Sequence, residues 1–268
     1  MSLKRLLLAM SLVLFSVVSV MAQTIESETR AANRRGNEEF SVVGVMPQTI
    51  ESETRAAIRR GNEKFAKQQY ESALKEYQDV PITAGDDYAQ ALYNVGVCYY
   101  ELWRTQEAIE FYRKALDARR GEYPKAWFAL GVALEDQAQP AAAKDAYRQS
   151  IISSLGKHAM AHYKLGLLLA SDGDYKGAAS LFKVAIARSS GRFPASHNDL
   201  GVMLAQMGHL TEAEREFQIA LQQAEGKFAE ADHNLKLCRT LLTVSAKNEI
   251  AALKLSERTE VLLHNRER

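Results

Sequence analysis

The stretch ALYNVGVCYYELWRTQEAIEFYRKAL, residues 91–116, decides the fold. It recurs as AWFALGVALEDQAQPAAAKDAYRQSI at 126–151, AHYKLGLLLASDGDYKGAASLFKVAI at 161–186 and SHNDLGVMLAQMGHLTEAEREFQIAL at 196–221. Gly96, Gly131, Gly166 and Gly201 stand 35 residues apart, and one step back lands on Gly61. Twelve residues after each glycine comes an alanine: Ala73, Ala108, Ala143, Ala178 and Ala213. Four residues further comes an aromatic: Tyr77, Tyr112, Tyr147, Phe182 and Phe217. A fixed period with three landmarks in constant phase means one supersecondary unit repeated five times.

These residues resemble the tetratricopeptide repeat, whose pattern runs aromatic, Leu-Gly, aromatic, central alanine, aromatic and late proline. The resemblance covers residues 50 to about 224 and departs from the family in its step, 35 residues instead of 34. It implies an all-α fold: a right-handed α-solenoid of five helix-turn-helix units, at 49–83, 84–118, 119–153, 154–188 and 189–225, followed by a C-terminal capping and amphipathic segment, 226–268. Neither helix of such a unit buries its apolar face alone, so stability comes from stacking. Glycine in the first helix and alanine in the second are small where the two cross. The glycine costs ~1 kcal/mol of helix propensity relative to alanine, which close packing of the aromatic must offset. Gly121, Gly156, Gly191 and Gly226, again 35 apart, read as helix stops. Pro124 and Pro194 suit the first turn of the next helix, where no N–H is needed. The segment PITAGDDY, from Pro81, links units one and two.

Composition fits an ordinary soluble chain, 47% apolar and 25% charged over 268 residues. Net charge is +1, so no polyanion partner is implied. Cys98 and Cys238 share one phase four steps apart, which places them in separate units and reads as two small core residues.

Met1 to Ala22 reads as a secretory signal peptide: Lys4 and Arg5, an apolar run from Leu6 to Met21, and a cleavage site before Gln23. Left uncleaved, it is the one segment that would meet a membrane. Residues 15–39 and 40–64 match at 21 of 25 positions, a tandem duplication unrelated to the 35-residue period. Only the second copy runs on into a second helix. Residues 23–48 are therefore expected to be a loosely held leader.

No catalytic, cofactor or metal constellation stands out. His158 and His162 have a helical metal-ligand spacing, but His158 falls in a turn and His162 shares a packing phase with Leu92, Trp127 and His197. Asp172-Gly173-Asp174 resembles a fragment of a calcium loop, without its closing glutamate. No phosphate loop or nucleophile motif is present, and Lys and Arg form no stripe with stacking aromatics. Neither a nucleic acid nor a small-molecule substrate is expected.

In the family, first helices line a concave groove that grips peptides or helices. With the glycine as position eight, positions two, five, nine, twelve and thirteen face that groove. The resemblance thus implies a lining of Ile58, Asn62 and Phe65; Tyr93, Val97 and Tyr100; Lys125, Phe128, Val132 and Glu135; Tyr163 and Leu167; Asn198 and Val202. Asn62, Asn94 and Lys125 match three positions of the carboxylate clamp found in some members. Ile58 and Ala129 stand where that clamp carries cations, which argues against this activity. The expected protein is a noncatalytic scaffold or adaptor, exported to the bacterial periplasm or cell envelope, that binds a protein or peptide. The alternative is a structural homo-oligomer joined through its C-terminal helix.

Overall fold

The computed structural model describes residues 53–243 and Leu253. Met1–Ala56 and Ala57–Arg268 group as two compact units. Of the first, residues 53–56 are described, and they are the opening turn of a helix. The signal segment, the duplicated leader and nearly all of the C-terminal amphipathic stretch lie outside the described residues.

Every regular element among the described residues is helical. Helix α1 spans 53–66 and pairs with α2 (Tyr70–Gln78). The next four pairs are α3 (Asp86–Glu101) with α4 (Thr105–Ala118), α5 (Pro124–Asp136) with α6 (Pro140–Ser153), α7 (Ala159–Ser171) with α8 (Tyr175–Arg188), and α9 (Pro194–Gln206) with α10 (Leu210–Gln223). Helix α11 (Ala229–Thr243) closes the stack against α10 and α9. From α2 onward each helix packs chiefly on its neighbours in sequence, as a solenoid requires.

The crossing within each hairpin explains the period. A Cβ placed on Gly61, Gly96, Gly131, Gly166 or Gly201 would stand 2.4 to 2.7 Å from the Cε1 atom of Tyr77, Tyr112, Tyr147, Phe182 or Phe217 respectively. Only glycine lets the ring lie on the first-helix backbone. The alanines four residues before the rings are wholly buried, as are four of the five rings, with Tyr77 3% exposed. Burial of such rings is the largest apolar contribution each hairpin has. In α11 the glycine position is Lys236, which is exposed and pairs with Asp232 at 2.6 Å. The matching ring position is Ala252, so no ring demands a bare backbone there.

The helix ends follow local chemistry. Gly121, Gly156, Gly191 and Gly226 all have φ between 72° and 81°, the left-handed conformation that ends a helix. Each is preceded by a second left-handed residue, Arg120, Leu155, Ser190 or Glu225, which the sequence reading did not foresee. Proline opens α5, α6 and α9. The link between units one and two is shorter than the sequence suggested. Asp86 and Asp87 already belong to the first turn of α3, where acidic side chains favour the helix dipole, and a single 3-10 turn (Ile82–Ala84) fills the gap.

Both cysteines are buried and free, and they lie in different clusters of the core. Burial pushes the Cys98 thiol up to about 12 and the Cys238 thiol to about 11, so neither forms a thiolate near neutrality. Leu253 is buried in the cluster that holds Val202, Leu235 and Cys238. At this position the C-terminal stretch is part of the cap.

Gly166→Ala tests the crossing. Alanine would add helix propensity of ~1 kcal/mol, but its Cβ would meet Phe182 Cε1 at 2.7 Å. Overpacking of this kind costs about 1–3 kcal/mol, so urea unfolding should show a net loss. Adding Phe182→Leu should make the double variant less destabilised than the two single losses summed.

Candidate binding face of the first helices

Among the described helices, α3 touches α5 and α9 touches α11 more closely than any two second helices approach each other. At these two steps the first helices lie on the tighter side of the stack. Positions five, nine, twelve and thirteen of each first helix, spaced i, i+4, i+7 and i+8, fall on one helical face, the first-helix strip.

The expected lining residues differ sharply in exposure. Asn62 and Lys125 are exposed, Phe65, Tyr93, Tyr100 and Leu167 are half-buried, and the Glu135 side chain is over nine-tenths buried. Ile58, Val97, Phe128, Val132, Tyr163, Asn198 and Val202 are buried, Asn198 completely. Accessible side chains thus concentrate in units one to three.

Position five is a packing position before it is anything else. Tyr93 lies between Tyr112 and Tyr123, with ring centroids 5.8 and 5.4 Å away. Phe128 lies between Tyr147 at 5.6 Å and His158 at 4.8 Å. Tyr163 lies between Phe182 at 5.7 Å and Phe193 at 4.8 Å. The outer ring of each trio comes from the turn between units. Tyr123, His158 and Phe193 are again 35 apart, a fourth landmark that the sequence reading passed over.

Polar groups stitch neighbouring first helices together. Tyr163 donates to Asp199 Oδ2 at 2.9 Å, and Asn234 donates to Asn198 Oδ1 at 2.9 Å. Asn198 also donates to Asp199 Oδ1 at 2.9 Å. Tyr100 donates to Asp136. The pairs 100/136, 163/199 and 198/234 share a spacing of 36, one repeat plus one residue. That spacing was readable in the sequence. Lys164 Nζ lies 3.7 Å from Glu135 Oε1, and both side chains are over nine-tenths buried. Removing either partner would leave a buried charge uncompensated. At unit one, Asn62 Oδ1 accepts from Tyr77 at 2.7 Å and from Asn94 at 3.5 Å.

The histidines of the turns between units, His158, His162 and His197, are structural. His158 caps α7, and its Nδ1 lies 2.6 Å from Ser150 Oγ, which itself donates to the Pro124 carbonyl at 2.9 Å. Ser150 is fully buried, so this pair offers no nucleophile to a substrate. His162 Nδ1 bonds the His158 carbonyl at 3.0 Å. Trp127 donates to the Gly121 carbonyl at 2.8 Å, and His197 Nε2 lies 3.2 Å from the Gly191 carbonyl. Their shared phase therefore tethers the turn between units. Asp172 and Asp174 flank a helix turn: Asp172 pairs with Lys144 at 2.6 Å, and Asp174 accepts from the Gly177 N–H at 2.9 Å. Among the described residues no group of three His, Cys, Asp or Glu side chains could hold a metal ion. No described helix is long and apolar enough to cross a membrane.

Helical hairpins stacked in register, with a strip of aromatic and polar side chains along the first helices, define a helical-repeat protein built for contact with other polypeptides. Two family models described as tetratricopeptide repeat match residues 54–121 and 128–193, together half of the chain. The protein belongs to the tetratricopeptide repeat family, and the repeats serve as a protein–protein interaction scaffold. Similar solved structures include the following three. The MamA protein is 26% identical with a TM-score of 0.54, over 65% of this chain and 93% of that one. YrrB, described as a tetratricopeptide protein with an unusual peptide-binding site, is 23% identical with a TM-score of 0.54, over 68% and 91%. PilW, described as a type IV pilus biogenesis factor, is 19% identical with a TM-score of 0.58, over 78% and 96%. A comparison with curated proteins finds no match.

Acid should loosen the wall at Phe128. Burial, with His162 and Lys125 adding to it, lowers the His158 pKa from 6.5 to about 4. A histidine with a depressed folded pKa contributes stability that is complete above its unfolded pKa and is lost as pH falls. The urea midpoint should therefore drop as pH falls from about 6.5 towards 4. His158→Gln should flatten that part of the profile. An NMR titration showing His158 protonating near 6.5 would contradict this.

Proposed function

We propose that the protein is a noncatalytic adaptor of the bacterial cell envelope that holds a peptide or helical segment of a partner along its first helices. The observation that carries this reading is the strip in units one to three. There the half-buried rings of Phe65, Tyr93 and Tyr100 and the exposed Asn62 and Lys125 occupy first-helix positions on the tighter side of the stack. Rigid rings interleaved with polar groups suit an apolar side chain anchored beside a backbone that needs hydrogen bonds. The buried positions farther along, Tyr163, Asn198 and Val202, are tied into the stack and hold the strip in shape.

Export rests on the sequence of Met1 to Ala22, with its basic start, apolar run and small cleavage residue. Membership of a family of interaction scaffolds supports a role without catalysis. Self-assembly through the C-terminal helix has less support, because Leu253, one of that stretch's apolar residues, is already buried within the chain.

Tyr93→Ala with Tyr100→Ala should weaken capture of a partner from envelope extract, while helix content by circular dichroism stays near that of the parent. Capture unchanged by this pair would overturn the assignment of the face.

A further inference from the structure

The ring that lies on each glycine carries a hydroxyl only in units one to three, and the accounting for those hydroxyls is uneven. Tyr77 donates to Asn62, at position nine of its unit. Tyr147 donates to Glu135, at position twelve of its unit. Units four and five have Leu167 and Val202 at position nine and Ala170 and Ala205 at position twelve, none of which accepts a hydrogen bond. Their rings are Phe182 and Phe217. A hydroxyl is therefore present where the first-helix face supplies an acceptor and absent where it does not.

Unit two breaks the rule. Its position nine is Val97 and its position twelve is Tyr100, whose hydroxyl is turned to Asp136. Yet its ring is Tyr112, fully buried, and the Tyr112 hydroxyl has no hydrogen-bond partner. The equivalent hydroxyls in units one and three bond residues of the first-helix strip, so this one is aimed at the same strip. The titratable groups around it are Tyr93, Tyr100, Glu101 and Cys98, of which Glu101 alone carries charge near neutrality. Tyr93 is stacked on the Tyr112 ring, and both Tyr93 and Tyr100 are half-buried. A buried donor left without a partner is costly, and the simple remedy, phenylalanine, is used twice in this chain.

We propose that the Tyr112 hydroxyl, closed off in the free protein, is the hydrogen-bond donor that reads the bound polypeptide, meeting a neutral acceptor, a backbone carbonyl or side-chain amide oxygen, inserted beside Tyr93. The negative charge of Glu101, which acts on the hydroxyl, and of Asp136, which holds Tyr100, disfavours a carboxylate there and favours a cationic residue next to the inserted group. The bound segment thus combines an apolar anchor, an inserted neutral oxygen and an adjacent lysine or arginine. This deepens the adaptor reading and rests on it.

The test uses the full chain to select a tight binder from a displayed random peptide library. The selected peptide, made synthetically, is the probe for calorimetry against four proteins: the parent, Tyr112→Phe, Tyr147→Phe, and Tyr93→Ala with Tyr100→Ala. Tyr112→Phe should bind about three- to tenfold more weakly, the loss expected for one net hydrogen bond. Its thermal midpoint should equal or exceed the parent's. Tyr147→Phe should show the opposite pattern, a lower midpoint and affinity within about twofold of the parent, because its hydroxyl is already satisfied by Glu135. If the double alanine variant loses binding and Tyr112→Phe does not, this inference fails and the adaptor reading stands. If neither loses binding, or no peptide is selected, the adaptor reading fails and takes this inference with it. A midpoint of Tyr112→Phe lowered as far as that of Tyr147→Phe would mean that the hydroxyl is satisfied inside the free protein, and would also overturn the proposal.

Discussion

An aromatic ring lying on a bare glycine backbone is the contact on which the rest of this structure depends. It sets how near the two helices of a hairpin come, and so where every other side chain on them points. The cost is a glycine in mid-helix, roughly 1 kcal/mol in each unit. Burial of a whole tyrosine or phenylalanine offsets it, since such rings bury 150–250 Å² each, by order of magnitude. Repetition multiplies the effect, because each unit's packing surfaces fit the next only when all hairpins cross alike. The cap illustrates the reverse. Where the ring is lost at Ala252, the glycine is lost too, at Lys236.

Once the hairpins are set, two lesser devices hold the units in line. Aromatic trios bind the first helix, the second helix and the following turn, as with Tyr93, Tyr112 and Tyr123. Hydrogen bonds between first helices then fix the stagger, as with Tyr163 and Asp199. Towards units four to six these bonds are buried, in the network of Tyr163, Asp199, Asn198 and Asn234. The more accessible side chains lie at the other end. This asymmetry separates a buried, bonded half from a half with side chains to offer, and it supports assigning the proposed adaptor face to units one to three.

The fold was legible because its signal is periodic: glycine, alanine and ring recur in phase, and chance cannot keep three landmarks in step. The helix stops and the helix-opening Pro124 and Pro194 were legible for the same reason, whereas Pro140, outside that period, was not read. Less of the candidate site could be read. Position five was expected to line a groove, yet Phe128 and Tyr163 are largely consumed by packing, because their outer partners, His158 and Phe193, come from a turn that the three-landmark pattern ignores. The stitching pairs were missed because their offset is 36 and the search was for 35. The uneven fate of the ring hydroxyls needed coordinates, since Tyr112 and Tyr147 look alike in sequence and differ only in what their neighbours accept.

Amide hydrogen exchange across residues 53–243, followed by mass spectrometry, tests the central claim most directly. If glycine-on-ring crossings hold the stack, slow exchange should recur every 35 residues, strongest around Gly96, Gly131, Gly166 and Gly201 and weakest in the turns at Gly121, Gly156 and Gly191. Protection without that period, or slowest in the turns, would contradict the account.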